Sequence, residues 1–169
     1  NEKFSVIPIT NHINLKDVSK NITKRILVNK ITNIFQSYKK VFKKKPKAVI
    51  LGLNHHNDEF RNNSEEKNIV VPAIKLLAKN NIKIDGPVPA DTIFFRDNLK
   101  KFNLVIGMYH DQVLPPIKAL FGLDAINVTL GLNFLRVSPD HGTGTNLIGK
   151  NKASPKSLIK SINFVKKYG

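Results

Sequence analysis

The chain has 169 residues, 41% of them hydrophobic, and a mean hydropathy of −0.22, which excludes a disordered chain and predicts one compact globular domain. It has no cysteine, which excludes disulfides, thiolate metal ligands and a cysteine nucleophile. The net charge is +16 with only four arginines, and the lysines are dispersed. We therefore interpret the positive charge as a consequence of the overall amino-acid composition and not as a binding surface. A polyanion-binding module remains as an alternative function from another class.

Apolar runs and helical periodicity divide the chain into alternating strands and helices. The predicted elements are a strand at 4–9, a helix at 23–42, a strand at 47–53, a helix at 64–78, a rigid Gly/Pro turn at 84–92, a short helix at 97–102, a strand at 103–108, strands at 124–131 and 134–138, and a helix at 155–167. Ser64 and Ser154 are the predicted N-caps of two of these helices. This alternation predicts an α/β fold with a largely parallel sheet.

Several sequence signals are absent. There is no GxGxxG motif and no P-loop, so a standard dinucleotide fingerprint is missing. No apolar run approaches the roughly 20 residues of a membrane span. The start, NEKFSVIPIT, has no secretory signal and no initiator methionine, so we expect a cytoplasmic protein and a chain that is a fragment or a trimmed part of a longer one.

Histidines follow three of the predicted strands. His12 comes after the strand at 4–9, the pair His55–His56 after the strand at 47–53, and His110 after the strand at 103–108. Because the carboxyl ends of parallel strands share one edge of a sheet, these loops are expected to converge. Three imidazoles there would suit a divalent metal with an open coordination position. Taken singly, each histidine is better interpreted as an ordinary surface or hydrogen-bonded loop residue, and only their repeated placement after strands favours a metal site.

Further polar residues lie in the loops and strands that follow. Lys118 lies about two helical turns beyond His110, and Asn127 and Arg136 lie in or beside predicted strands; together they suit a phosphate or carboxylate. Asp91, in the Pro-rich turn, is a candidate catalytic carboxylate or a simple turn residue. The loop SPDHGTG at 138–144 has glycines that permit close approach to a ligand or form a plain turn.

The motifs GLNHH, DGPVPADTIF, MYHDQ with PPIK, and NVTLGLNFLRVSPDHGT resemble, in order and spacing, those of the 4-hydroxythreonine-4-phosphate dehydrogenase family of vitamin B6 (pyridoxal phosphate) biosynthesis. The resemblance covers nearly the whole chain. It implies an αβα sandwich of the isocitrate/isopropylmalate dehydrogenase-like type. Residues 1–169 would then be a single α/β region that corresponds to the C-terminal half of the family, incomplete at the N-terminus, and that contains the metal site.

The resemblance also implies an activity. The family oxidises 4-phosphooxy-L-threonine with NAD, and decarboxylation then gives 3-amino-2-oxopropyl phosphate. It uses a divalent metal, Zn, Mg or Co. By motif position the metal ligands are His12, His56 and His110, and the substrate contacts are Lys118, Asn127 and Arg136. The family is a homodimer with a shared active site, in which the third histidine comes from the partner chain.

Two departures from the family pattern matter. The family loop NPHAGEGG is NHHNDEFRNN here, at 54–63, so its glycines and proline are lost and its backbone contacts are in question. The adjacent His55 leaves the ligand assignment open by one residue, and motif position selects His56. Three alternatives stay open: a dehydrogenase of another phosphorylated hydroxy acid such as a threonate phosphate, an inactive truncated fragment, and the polyanion-binding module. We expect no nucleic-acid or membrane partner.

Overall fold

A computed structural model describes residues 4–140, 142 and 144–169. Its centre is a sheet of four parallel strands in the order β1-β4-β2-β3. These strands are β1 (Ser5–Thr10), β2 (Ala48–Leu51), β3 (Ile84–Val88) and β4 (Leu104–Tyr109). The strands β2 and β4 are almost wholly buried, as expected for a parallel sheet that is covered on both faces.

Helices cover both faces of the sheet. They are α1 (Val18–Asn21), α2 (Lys24–Phe42), α3 (Val71–Lys79), α4 (Ala90–Ile93), α5 (Arg96–Leu99), α6 (His110–Phe121) and α7 (Lys156–Tyr168). A π-helical turn, Glu66–Val70, leads into α3. No helix in the described part of the chain is both long and apolar enough to cross a membrane.

Alternating side chains of the strands build two cores. In β4, Leu104, Ile106 and Met108 point to the core formed with α2 and α3, whereas Val105 points to the core formed with α4 and α6. This period of two follows from strand geometry. The three layers confirm the predicted αβα sandwich.

Local sequence signals account for several helix boundaries. Thr23 caps α2 by accepting a hydrogen bond from the backbone N–H of Ile26 (3.2 Å). The predicted N-cap Ser64 is confirmed, because its Oγ accepts from the N–H of Lys67 (3.2 Å). Helix α2 ends where Lys43 adopts a left-handed conformation (φ 56°), three residues before Pro46.

The prediction of a turn over 84–92 was wrong. Residues Ile84–Val88 form β3, which pairs with β2, and α4 follows directly. Gly86 and Pro87 argued against a strand, but β3 lies at the sheet edge, where only one side needs a backbone donor. Helix α6 was not predicted as an element, because it contains Pro115 and Pro116.

The remaining strands form a separate hairpin. Strands β5 (Ile126–Thr129) and β6 (Arg136–Pro139) pair antiparallel, so they do not extend the parallel sheet. The hairpin lies beside α7, and Ser157 of α7 donates from Oγ to the carbonyl of Ala125 (2.8 Å). Lys156 and Lys160 form ion pairs with Asp124 (2.7 and 3.3 Å) and hold α7 to the start of the hairpin.

Candidate functional site

The carboxyl edge of the sheet collects the predicted site residues. His12, His56, Asp91 and His110 follow β1, β2, β3 and β4 in turn. The rings of His12 and His110 lie side by side, with centroids 6.0 Å apart and planes at 39°. This contact arises because β1 and β4 are neighbours in the sheet, and it confirms that two of the three histidine loops converge.

His56 lies with a different partner. Its Nε2 is 3.5 Å from Oδ2 of Asp91, since β2 and β3 are also neighbours in the sheet. Among the described residues, no group of three His, Cys, Asp or Glu side chains is close enough to hold a metal ion together. The donor set itself suits a divalent transition metal. One chain therefore brings the imidazoles of His12 and His110 together, while His56 pairs with Asp91.

Asp111 orients the ring of His110. The two side chains meet at 2.6 Å between Nδ1 and Oδ1. An ionised carboxylate can only accept, so the Nδ1–H of His110 donates to it. In the neutral imidazole, this contact puts the proton on Nδ1 and leaves the lone pair on Nε2, as a metal ligand requires. Sequence reasoning assigned no role to Asp111, although the adjacent His-Asp pair was the available signal.

Buried polar side chains shape the loop after β2. The carboxylate of Glu66 is fully buried and accepts from the backbone N–H groups of Leu53 (2.7 Å) and Asn54 (2.8 Å). Asn57, also buried, donates from Nδ2 to the carbonyl of Pro87 (3.1 Å). These bonds satisfy the Glu66 carboxylate and the amide N–H of Asn57, which would be costly to bury alone, whereas Oδ1 of Asn57 is buried without a hydrogen-bond partner within the part of the chain that the structure describes. Sequence reasoning placed Glu66 only in a first helical turn.

The same loop has an unusual backbone. His56, Asn57, Asp58, Glu59 and Phe60 all have positive φ, between 47° and 58°. A left-handed turn costs roughly 1–2 kcal/mol per residue for side chains with a Cβ, less for Asn and Asp. This is the stretch in which the family pattern has glycines, whereas here it consists of residues with a Cβ, which adopt positive φ at a cost.

Glu65 connects this loop to the segment after β1. It accepts from Ser19 of α1 (2.5 Å) and from Nδ2 of Asn54 (2.9 Å). These contacts, the Ser19 hydroxyl above all, lower the pKa of the Glu65 carboxyl below its ordinary value of 4.5. The loops after β1 and β2 are thereby linked through the start of α3.

The predicted anion-binding residues surround the hairpin. The paired positions Asn127↔Ser138 and Thr129↔Arg136 put Asn127 and Arg136 on one face, because alternate residues of a strand share a face. Nη1 of Arg136 donates to Oγ1 of Thr129 (2.8 Å). Both predicted side chains are exposed and open to a ligand.

Lys118 approaches the hairpin from α6. Its Nζ lies 3.4 Å from Oδ1 of Asp140, which follows β6. Lys118 therefore lies in an ion pair beside the end of β6, whereas Arg136 lies at the start of that strand. The SPDHGTG loop continues from Asp140, but His141 and Thr143 lie outside the described residues. Gly144 has φ 58°, a conformation that glycine adopts without strain.

A model of the family described as "Pyridoxal phosphate biosynthetic protein PdxA" matches residues 1–165. The chain belongs to this family. It is 46% identical over 165 residues to the 4-hydroxythreonine-4-phosphate dehydrogenase of Sulfurihydrogenibium sp., covering 96% of this chain and 51% of that protein. It is 38% identical over 164 residues to the protein of the same name from Bradyrhizobium diazoefficiens, covering 96% and 48%.

Solved structures agree with this assignment. The 4-hydroxythreonine-4-phosphate dehydrogenase of Klebsiella pneumoniae superposes with a TM-score of 0.82 at 31% identity, over 98% of this chain and 51% of that one. The enzyme from Burkholderia phymatum gives 0.79 at 33% identity, over 99% and 51%. The chain spans about half the length of the relatives it matches, and the PdxA-family fold confirms the predicted isocitrate/isopropylmalate dehydrogenase-like class.

Proposed function

We propose that this chain is the metal- and substrate-binding part of a 4-hydroxythreonine-4-phosphate dehydrogenase, which oxidises 4-phosphooxy-L-threonine with NAD; loss of CO2 then gives 3-amino-2-oxopropyl phosphate for vitamin B6 biosynthesis. Family membership supports the reaction class. The main structural support is the adjacent pair His12 and His110 at the carboxyl edge of the sheet, 6.0 Å between ring centroids, next to loops with further acid, imidazole and cationic groups.

We propose His12, His110 and His56 as the ligands of the metal. Imidazole donors favour zinc or cobalt over magnesium, which prefers oxygen. When bound, the ion supplies electrophilic stabilisation of negative charge on the substrate oxygen, and NAD supplies the hydride acceptor. Asp111 fixes the tautomer of His110 through the Nδ1 contact at 2.6 Å. Nε2 of His56 lies 3.5 Å from Oδ2 of Asp91, so it would leave this contact to bind the ion together with the other two histidines.

The substrate anion is assigned to the hairpin region. Arg136 and Lys118 present a guanidinium and an ammonium to a phosphate or carboxylate, and Asn127 offers an amide on the same hairpin face as Arg136. A phosphate must compete with Asp140 for Lys118, since that ion pair is 3.4 Å long. Substrate binding would thus exchange one carboxylate partner for a more highly charged one.

A second copy is the proposed partner. Leu158, Ile162 and Val165 are exposed on α7, and their spacing of four and three residues puts them on one helix face. We expect Ile162→Lys to lower the apparent mass in sedimentation, whereas Asn163→Lys, which adds the same charge on another face, leaves it unchanged. Identical masses for both variants would exclude this face from the interface.

The activity test follows NADH formation by this chain with 4-phosphooxy-L-threonine, Co²⁺ and NAD. We expect turnover that His110→Ala and His56→Ala abolish and that His55→Ala leaves within a few-fold, which also resolves the ambiguity of the His pair. Faster turnover of a threonate phosphate would replace the proposed substrate by the related one. Stoichiometric metal binding without any turnover would leave a site that does no chemistry in this chain.

A further inference from the structure

The strands β4 and β2 separate just before the candidate site. Their backbone pairing ends at Ile50↔Ile106. Beyond this pair, the side-chain amide of Gln112 bridges the two strands. The N–H of Met108 donates to Oε1 of Gln112 (2.7 Å), and Nε2 of Gln112 donates to the carbonyl of Gly52 (2.7 Å). Gln112 is buried, and its carboxamide takes the place of a peptide group in the sheet.

Further bonds extend this bridge to the outer strands. Oγ1 of the buried Thr10 in β1 donates to the carbonyl of Met108 (2.7 Å). The N–H of Gly52 donates to the carbonyl of Val88 at the end of β3 (3.0 Å). A continuous series of hydrogen bonds therefore crosses all four strand ends, and we call Thr10, Met108, Gln112 and Gly52 the strand-end clamp.

The clamp lies directly beneath the proposed ligands. His12 is two residues after Thr10, His110 lies between Met108 and Gln112, and His56 is four residues after Gly52. One residue separates His12 and His110 from a clamp residue, and three residues separate His56 from Gly52. Movement of one strand end would therefore move its histidine loop relative to the other two.

Glycine makes room for the bridge. A methyl group on Gly107 would lie 2.5 Å from Cγ1 of Val113 and 3.1 Å from Oε1 of Gln112. The first turn of α6 thus packs directly on the backbone of β4, and this close approach brings Gln112 between the strands. Any larger residue at 107 would push α6, with His110 at its start, away from the sheet.

We propose that Gln112 is a positioning residue that holds the loops of His12, His56 and His110 in register for the metal. This inference rests on the proposed function for the identity of the ion, but the register of the loops is a property of the chain alone. Residues that orient metal ligands through one intermediate contact typically contribute about 10- to 100-fold to affinity. Gln112 touches neither metal nor substrate and acts only through the backbone of the three loops.

The test uses Gln112→Met, which keeps the length of the side chain and removes both hydrogen bonds. Thr10→Val removes only the link from β1 to β4. Gln36→Met is the matched control on the exposed side of α2, and Leu77→Ala is a buried core control that lowers stability without touching the clamp. Two quantities are measured: metal-free amide hydrogen exchange at the strand ends, and Co²⁺ affinity from the visible absorption of the bound ion.

In Gln112→Met we expect exchange to accelerate at least tenfold at Met108, Gly52 and the following loop amides, and Co²⁺ affinity to fall at least tenfold. Thr10→Val should change fewer amides, and Gln36→Met none. Leu77→Ala should raise amide exchange in α3 and its neighbours. Its Co²⁺ affinity should stay within about threefold of wild type, which is a smaller change than the loss of an orienting contact produces.

The outcomes separate the two proposals. If wild type binds Co²⁺ and Gln112→Met binds it equally well, the positioning role is overturned and the proposed function stands. If wild type binds no Co²⁺, the proposed metal site fails, and the exchange data alone decide the clamp. Acceleration confined to the amide of Met108, or equal in Leu77→Ala, would overturn the clamp.

Discussion

His110 and Asp111 are adjacent in the chain and make different contacts at the candidate site. His110 begins α6 and meets His12, while Asp111 holds its Nδ1–H at 2.6 Å. Sequence spacing placed His110 at a strand end, but the tautomer depends on where Asp111 points. The proposed ligand and the group that contacts its ring are therefore neighbours in the chain.

Asp111→Asn is expected to weaken Co²⁺ binding about tenfold, because an amide is a weaker acceptor and holds the imidazole less firmly. Titration of the chain with Co²⁺ measures this. Asp97→Asn is the control. Asp97 is also exposed, and it forms an ion pair with Lys100 (2.9 Å) away from the candidate site. Equal affinities for the two variants would remove Asp111 from the site.

The strained loop gives a second prediction at the residue scale. Glu59 has φ 49° and ψ 22°, so Glu59→Gly should be more stable than Glu59→Ala by about 1 kcal/mol, because glycine adopts this conformation freely. At Asp97, inside helix α5, the order should reverse, since alanine is the better helix former by about 1 kcal/mol. Urea unfolding of the four variants measures both differences. Alanine preferred at both positions would mean that the turn is not left-handed.

At the scale of elements, the start of α3 joins two loops of the site. Glu65 accepts from Ser19 of α1 and from Asn54 after β2, while Glu66 accepts from the backbone of Leu53 and Asn54. Both carboxylates thus bond to Asn54 in the loop after β2, and Glu65 also reaches Ser19 of α1. Helix α3, which follows them, packs on the sheet through Ala73 and Leu77.

Ser19→Ala is expected to lower stability at neutral pH by about 0.5 kcal/mol, a small figure because Glu65 is only partly buried. The pKa of Glu65 is lowered in the folded chain, so its contribution is present above the ordinary value of 4.5 and is lost as pH falls through the lowered value. The difference from wild type should therefore disappear in acid. Unfolding free energies across this range measure it, with Ser37→Ala on α2 as control; a difference that persists in acid would contradict the linkage.

At the scale of the whole molecule, the net charge of +16 opposes folding through self-repulsion. Added NaCl screens exposed charges over about 8–10 Å at physiological ionic strength. We expect the melting temperature to rise by about 3 °C between low and physiological salt, which corresponds to about 1 kcal/mol for a chain of this size.

The double variant Lys44→Glu, Lys45→Glu tests whether charge repulsion causes this salt dependence. Both positions are exposed and follow α2. Because it replaces two positive charges by negative ones, its melting temperature should depend less on salt than that of wild type. Paired thermal scans at several NaCl concentrations provide the comparison. An unchanged or larger salt dependence would show that self-repulsion is not the reason.

Sequence reasoning succeeded where local physics decides the structure. Ser64 and Thr23 begin helices because their side chains accept orphan N–H groups. It failed at Ile84–Val88 and at α6, where Gly86, Pro87, Pro115 and Pro116 oppose the element they occupy. In those places packing and the edge position outweigh local propensity.

The sequence by itself determined the alternation of strands and helices, the family, and the placement of His12, His56 and His110 directly after strands. The tertiary structure alone decided which groups meet. Strand order β1-β4-β2-β3 pairs His12 with His110 and His56 with Asp91, and places Gln112 between β4 and β2. Strand order depends on how helices pack on both faces of the sheet, and contacts so distant along the chain leave no local periodicity for a sequence pattern to reveal.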